Sequence, residues 1–528
     1  MSQSRLLSHR RAWLLSALGL VLVLASVATG AGPAGATASP KKQWPSGGQN
    51  LSDTHSNPFE TVIGAANVGT LGVKWTFTPA GDVSATPAVV NGVAYFPDWG
   101  GDLNAVNIST GALVWKKAIS SYDGVSGSES RTSPAVSGGV IYIGDQSGAH
   151  LMAIKASTGK LIWITQLSTH PSAIITQSPL VFKGVVYEGV SSSEQAAAAN
   201  PDYACCTFRG SMVAVKAKTG KVLWQTYMVP DNGGQPGGYS GGAVWSSTPA
   251  LDPSSDTLYI TTGNNYTVPA SVSTCRTDGG TPAQCLDPTD YIDSIIAMNA
   301  STGAVKWADG EGGFDAWTVA CRSGDVPNCP PDPGPDADFG NGAQLLTIKG
   351  AGGKRELVVG AGQKDGMYWE ADATTGKILW GTQVGPGGAQ GGMQWGSATD
   401  GTRIYVAEAD SDNLSYTPAG SSAAITWGSW AALDPVTGAV EWQTPDPSHG
   451  VDIGSVSVAN GVVYAGSLSG EMYGINAATG GVLWSYQGQG SSIAGAAIVN
   501  GVVYWGNGYA HLGPPGTGST TFYAFAPS

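Results

Sequence analysis

Seven residues carry chemistry that a repeating scaffold does not need: Arg131, Glu194, Trp245, Asn264, Asp336, Asp338 and Lys364. They comprise three acids, a carboxamide, two cations and an indole. Gathered in one place, acids and an amide can move a proton or bind a cation, and cations can pair with anionic oxygens. Nothing in their spacing gathers them, apart from Asp336 and Asp338, which stand two apart. Six histidines occur, and none sits in a nucleophile–base pattern, so a hydrolase built on a Ser–His pair is not indicated.

The elements that must position these residues come from an internal repeat. Seven segments share the frame A-x-x-x-x-T-G-x-x-x-W: AVNISTGALVW ending at Trp115, AIKASTGKLIW at Trp163, AVKAKTGKVLW at Trp224 and AMNASTGAVKW at Trp307. EADATTGKILW ends at Trp380, with Glu370 in place of the Ala, ALDPVTGAVEW at Trp442, and GINAATGGVLW at Trp484, with Gly474 in that place. Ahead of most stands a strand pair such as TPAVVNGVAYFPD, with a turn at Asn91-Gly92. Each unit is four short strands, A to D, and D carries the Trp. Such a unit cannot bury both faces alone, and stacking in a ring leaves the fewest exposed edges. The C-terminal segments IAGAAIVNG, VVYWGNG and TFYAFAPS supply A, B and C, and VGTLGVKWTF near the start supplies D with Trp75. Joined, they make an eighth unit. The expected fold is an all-β, eight-bladed β-propeller of tryptophan-docking repeats, its ring closed by N- and C-terminal strands.

Topology then collects the seven residues. In an antiparallel A–B–C–D meander, the B–C loops and D–A connections share one face. Glu194, Asn264 and Lys364 follow B strands; Arg131, Trp245, Asp336 and Asp338 precede A strands. All seven therefore fall on one face. The spacings between successive frame tryptophans, 48, 61, 83, 73, 62 and 42, place the extra residues in blades three to six. Insertions in repeat proteins concentrate on the functional face.

Bulk properties set the compartment. Arg5, Arg10 and Arg11, the apolar run Trp13 to Val27 and the Ala36-Thr37-Ala38 site describe a secretory signal over residues 1–38, leaving a single propeller over 39–528. Loss of three arginines and no acid takes the net charge from −13 to −16. So acidic a chain is unsuited to nucleic acid or anionic membrane surfaces, and no later stretch is long and apolar enough to span a bilayer. The six cysteines fit an oxidising compartment and fall into local pairs: Cys205 with Cys206, Cys275 with Cys285, and Cys321 with Cys329. No C-x-x-C-H occurs, so no covalent haem is expected.

Through CCTFRGS, GAVWSS, TGNNY, GPDADFG and GQKDG, the chain resembles the pyrroloquinoline quinone (PQQ)-dependent alcohol dehydrogenases, closest to the polyvinyl-alcohol-dehydrogenase-like branch. The resemblance covers the whole mature chain. It implies PQQ with a calcium or lanthanide ion, held by Glu194, Asn264, Asp336 and Asp338, and Asp336 as the base that takes the alcohol proton. A second carboxylate at the offset of Asp338 is similar to lanthanide-dependent members, although GPDADFG departs from their usual W-D-Y-D. Trp245 matches the residue stacked beneath the quinone, and Arg131 and Lys364 the donors to its oxygens. Cys205-Cys206 resembles a vicinal disulfide over the other quinone face, but here it follows Glu194, where methanol-type enzymes place it before the matching carboxylate. The implied activity is oxidation of primary or secondary alcohols, polymeric ones included, with electrons passed to a separate cytochrome or quinone. The competing expectation is a non-catalytic propeller acting as a binding or assembly scaffold, which needs no metal.

Overall fold

Each indole of the repeat donates its N–H to the next blade, and these bonds run round the whole ring of the computed structural model. The structure describes residues 42–528 apart from 311, 325, 326, 512 and 514, so the expected signal segment lies outside the described residues. Trp115 reaches the carbonyl of Ala156 at 2.8 Å, Trp163 that of Ala217 at 2.9 Å, and Trp224 that of Ala300 at 3.0 Å. Trp307, Trp380 and Trp442 reach Ala373, Pro435 and Ala477 in the same way. Trp484 then donates to Leu71, and Trp75 to Ile108, which closes the circuit at eight. The glycine of each T-G turn has φ between 68° and 77°. A Cβ on it would come within 2.5–2.8 Å of the preceding blade's indole ring. Glycine is thus required twice at one position, for its backbone conformation and for the room it leaves.

Eight antiparallel blades result, seven of them four-stranded and the third carrying a short extra strand, Ala173–Ile174, on the end of its B strand. Blades 1 to 7 span residues 88–118, 135–166, 180–227, 250–310, 344–383, 398–445 and 457–487. Blade 8 is the split one: Leu71–Phe77 pairs with Phe522–Pro527, beside Val502–Gly506 and Ala497–Val499. The A–B hairpin of blade 1 turns at Asn91 and Gly92 with φ of 51° and 84°, the geometry that follows the strand twist.

The repeat does not announce the segment 44–57, which runs around the axis against the inner strands. Trp44 pairs with Val89, and Pro45, Leu51, Ser52, Thr54 and His55 accept from the backbone of Val136, Leu251, Leu345, Thr399 and Val458. Asn57 reaches Ile498 with its side chain at 2.8 Å. Seven blades are tied to this one strap. It satisfies inner-edge backbone groups that would otherwise lie unpaired in the buried centre.

Candidate active site

On the face of the B–C loops and D–A connections lies a cavity of about 400 Å³. Arg131, Trp245, Asn264, Asp338 and Lys364 line it, so five of the sequence-predicted residues, from blades 2, 4 and 5 and the connections leading into them, meet in one place. Glu194, Asp336 and the Cys205–Cys206 disulfide do not line it.

Lys364 is the hub. Its Nζ lies 3.0 Å from Asp336 Oδ1 and 2.8 Å from Asp338 Oδ2, and its backbone N–H donates to the Asp338 carbonyl at 2.9 Å. The Asn264 N–H donates to Asp338 Oδ1 at 2.6 Å. Behind the pair, Asp315 accepts from the backbone of Asp336 and Ala337 at 3.2 and 2.6 Å. Burial pushes Asp336 up to about 7, against the pull of Lys364, and Asp315 up to about 6. Asp293, fully buried, is pushed well above the carboxylate range by burial and by Asp315. Lys364 would be lowered by burial, but Asp336 and Asp338 outweigh that and raise it, so it stays charged. Four buried acids around one cation leave an excess of negative charge, costly unless protons or a metal ion compensate it. This donor set, carboxylate and amide oxygens with no thiolate, fits a hard cation.

Asn264 is oriented for such a role. Its Nδ2 donates to the carbonyls of Asn265 and Trp317 at 2.8 and 2.9 Å, which turns its Oδ1 toward Gln195. Gly263 lets these groups approach, because a Cβ there would lie 2.5 Å from Asp338 Oδ1 and 3.0 Å from Trp245 Nε1. Trp245 meets Trp395 edge to face at 5.3 Å, and neither buried indole nitrogen has a partner within the protein. Arg131 sits 3.9 Å over the Trp395 ring. Aromatic walls, two cations and orphaned N–H donors fit a planar anionic ligand.

The family described as outer membrane protein assembly factor BamB, a PQQ-repeat family, matches residues 60–309 and 342–512. A polyvinylalcohol dehydrogenase of Sphingopyxis sp. (strain 113P3) is 30% identical over 85% of this chain and 70% of its own. The chain belongs to the quinoprotein alcohol dehydrogenase family. A second polyvinylalcohol dehydrogenase, from Pseudomonas sp., is 29% identical over 89% of this chain and 73% of its own. Among solved structures, the quinohemoprotein alcohol dehydrogenase of Comamonas testosteroni has the same fold, with a TM-score of 0.70 at 23% identity over 93% of this chain and 81% of that one.

Within this quinoprotein, Glu194 is fully buried and its carboxylate is spoken for. It accepts from the backbone of Thr207 at 2.9 Å and Phe208 at 2.8 Å and from the Tyr203 hydroxyl at 3.0 Å, with His170 3.6 Å away. Burial would raise it, but His170 and the two amides outweigh that and hold it below its ordinary value. Cys205 and Cys206, just before Thr207, are bonded to each other and join the apolar cluster of Ile175, Val190, Phe208 and Tyr266, against which Trp245 also packs. The other two expected disulfides are formed as well. Asn328, beside the Cys321–Cys329 disulfide, ties to the loop after Glu194, its Nδ2 lying 3.0–3.1 Å from the carbonyls of Ala198, Asn200 and Tyr203.

Sequence reasoning passed over Gln195, Trp395, Asp315 and Asp293. Trp395 had a signal, since GGMQWGS is a glycine-flanked Trp outside the repeat, as GGAVWSS is at Trp245. The two acids had none.

Proposed function

We propose that the chain is an exported PQQ- and metal-dependent dehydrogenase of primary or secondary alcohols, polymeric ones included, that hands its electrons to a separate cytochrome or quinone. The observation that carries this reading is the acid-rich knot around Lys364 in the wall of an aromatic cavity. A scaffold needs no such excess of buried charge. Among the described residues no helix is long and apolar enough to cross a membrane.

When bound, PQQ supplies a hydride acceptor, and a calcium or lanthanide ion polarises its carbonyl. The chain's own residues do the rest. Asn264, Asp336 and Asp338 would hold the ion, Trp245 would offer its face to the ring, and Arg131 and Lys364 would donate to its oxygens. As hydride leaves the alcohol carbon, the hydroxyl proton passes to the Asp336–Asp338 pair. The sequence expectation gave that proton to Asp336; because Asp338 is the member that lines the cavity, we have it enter there, with Asp336 sharing it across Lys364.

The test is reconstitution of the mature protein with PQQ and either calcium or lanthanum, following quinone absorbance and dye reduction with alcohols. Metal-dependent binding with turnover is expected. Absence of binding with either ion would overturn the reading in favour of a scaffold.

A further inference from the structure

We infer that Gln195 supplies an oxygen ligand to the cation in this chain, at the place where Glu194 is expected. The inference rests on the dehydrogenase reading and adds to it a departure peculiar to this sequence. Residues Glu194–Ala197 form one helical turn, so neighbouring side chains diverge by roughly 100°. One of the two can face the cavity, and it is Gln195. Glu194 turns the other way, where its oxygens hold the loop after the disulfide through Thr207, Phe208 and Tyr203.

The Gln195 carboxamide stands among the donors themselves. Its Nε2 is 3.4 Å from Asn264 Oδ1 and 3.4 Å from Asp336 Oδ1. Both contacts are long for hydrogen bonds, and the N and O of a carboxamide exchange by a half-turn. Asn264 cannot answer by turning, because both its N–H bonds are committed. A group that places a weak donor between two acceptor oxygens marks where a cation would sit. On cation binding, the half-turn brings Oε1 to it in place of Nε2. The ligand is neutral, so what these side chains offer the ion is the charge of Asp336 and Asp338 less the one that Lys364 contributes, a single net negative charge.

Terbium(III) reports binding directly, since Trp245 and Trp395 line the same cavity and can sensitise its luminescence. Titrations of the full mature chain with terbium, and calcium competition, give affinities without any turnover. Gln195→Leu should weaken both ions about tenfold or more. Gln195→Glu should tighten both, terbium more than calcium, because it adds an anionic oxygen. Glu194→Gln should stay within about threefold of wild type for ions while lowering the melting temperature, its loss falling on the loop. Unchanged affinity in Gln195→Leu, with collapse in Glu194→Gln, would return the ligand role to Glu194 and overturn the inference. If Glu194→Gln does not fold, the opposite shifts of the two Gln195 variants still decide. A wild-type chain that binds neither ion sinks the metal reading and this inference with it.

Discussion

The two faces of the ring are built from the same strands and behave differently. On the T-G face seven blades repeat one arrangement, with a glycine at positive φ under an indole and an indole N–H on a carbonyl. On the opposite face hardly any two blades agree, and the knot is gathered from the B–C loops of blades 4 and 5 and the long connection between those two blades. Repetition marks what the ring needs to close; departure from it marks what the ring is for. Mutations should therefore separate cleanly, one face costing activity and the other stability.

The largest effect is expected on the loop face. Asp338→Asn keeps the shape and an acceptor for the Asn264 N–H, and removes the charge proposed to help hold the ion and to take the proton. Turnover of the reconstituted enzyme should fall about 10²–10⁴-fold with little change in melting temperature. Asp336→Asn should cost less, since its carboxylate stands behind the cavity wall. An active Asp338→Asn variant beside a dead Asp336→Asn would restore the original assignment of the base.

On the T-G face, Gly438→Ala should do the reverse. The residue has φ of +71°, and its Cβ would lie 2.5 Å from the Trp380 ring. Left-handed strain and overpacking together should cost about 2–4 kcal/mol, read as a shift in the denaturant midpoint, with turnover per folded molecule unchanged. Loss of turnover without loss of stability would mean the faces are coupled.

A third prediction crosses between them. Glu408 is fully buried beneath the connection 385–388, accepting from Gly387 at 2.8 Å, and Gly388 in turn donates to the Lys364 carbonyl. Burial pushes Glu408 up to about 8. Its native value lies above its unfolded one, so the stability it contributes is full below about 4.3 and is lost as pH rises to about 8. Wild type should lose stability across that range, and Glu408→Gln should lose less. Equal slopes would remove Glu408 from the account.

These differences also explain what could be read beforehand. The blade count, the ring closure and the site face were legible because the T-G-x-x-x-W frame repeats and topology assigns each loop to a side. The strap 44–57 was not, because its bonds to seven blades are almost all made by backbone, and backbone bonds leave no side-chain pattern. Nor was the division of labour within neighbouring pairs. Asp336 and Asp338, two apart in an extended segment, would share a side. Asp336 instead adopts φ of +62°, and only Asp338 reaches the cavity. Glu194 and Gln195 part company because the B strand ends in a helical turn.

The smallest expected effect tests whether the joints of the ring are equal. Trp442→Phe keeps a ring over Gly480 and deletes the N–H bond to Ala477, a loss of about 1 kcal/mol. Trp484→Phe deletes the bond to Leu71, whose strand must hold both the ring and the C-terminal strand. Trp484 is only 7% exposed and Trp442 is more open, so the carbonyl left behind at Leu71 is less able to find water. Its loss should exceed that of Trp442→Phe by up to about 2 kcal/mol, read from denaturant midpoints of the two variants. If the two midpoints move equally, the split blade is energetically one joint among eight. If Trp484→Phe moves further, the closure carries more than its share, and the regular face has one special position of its own.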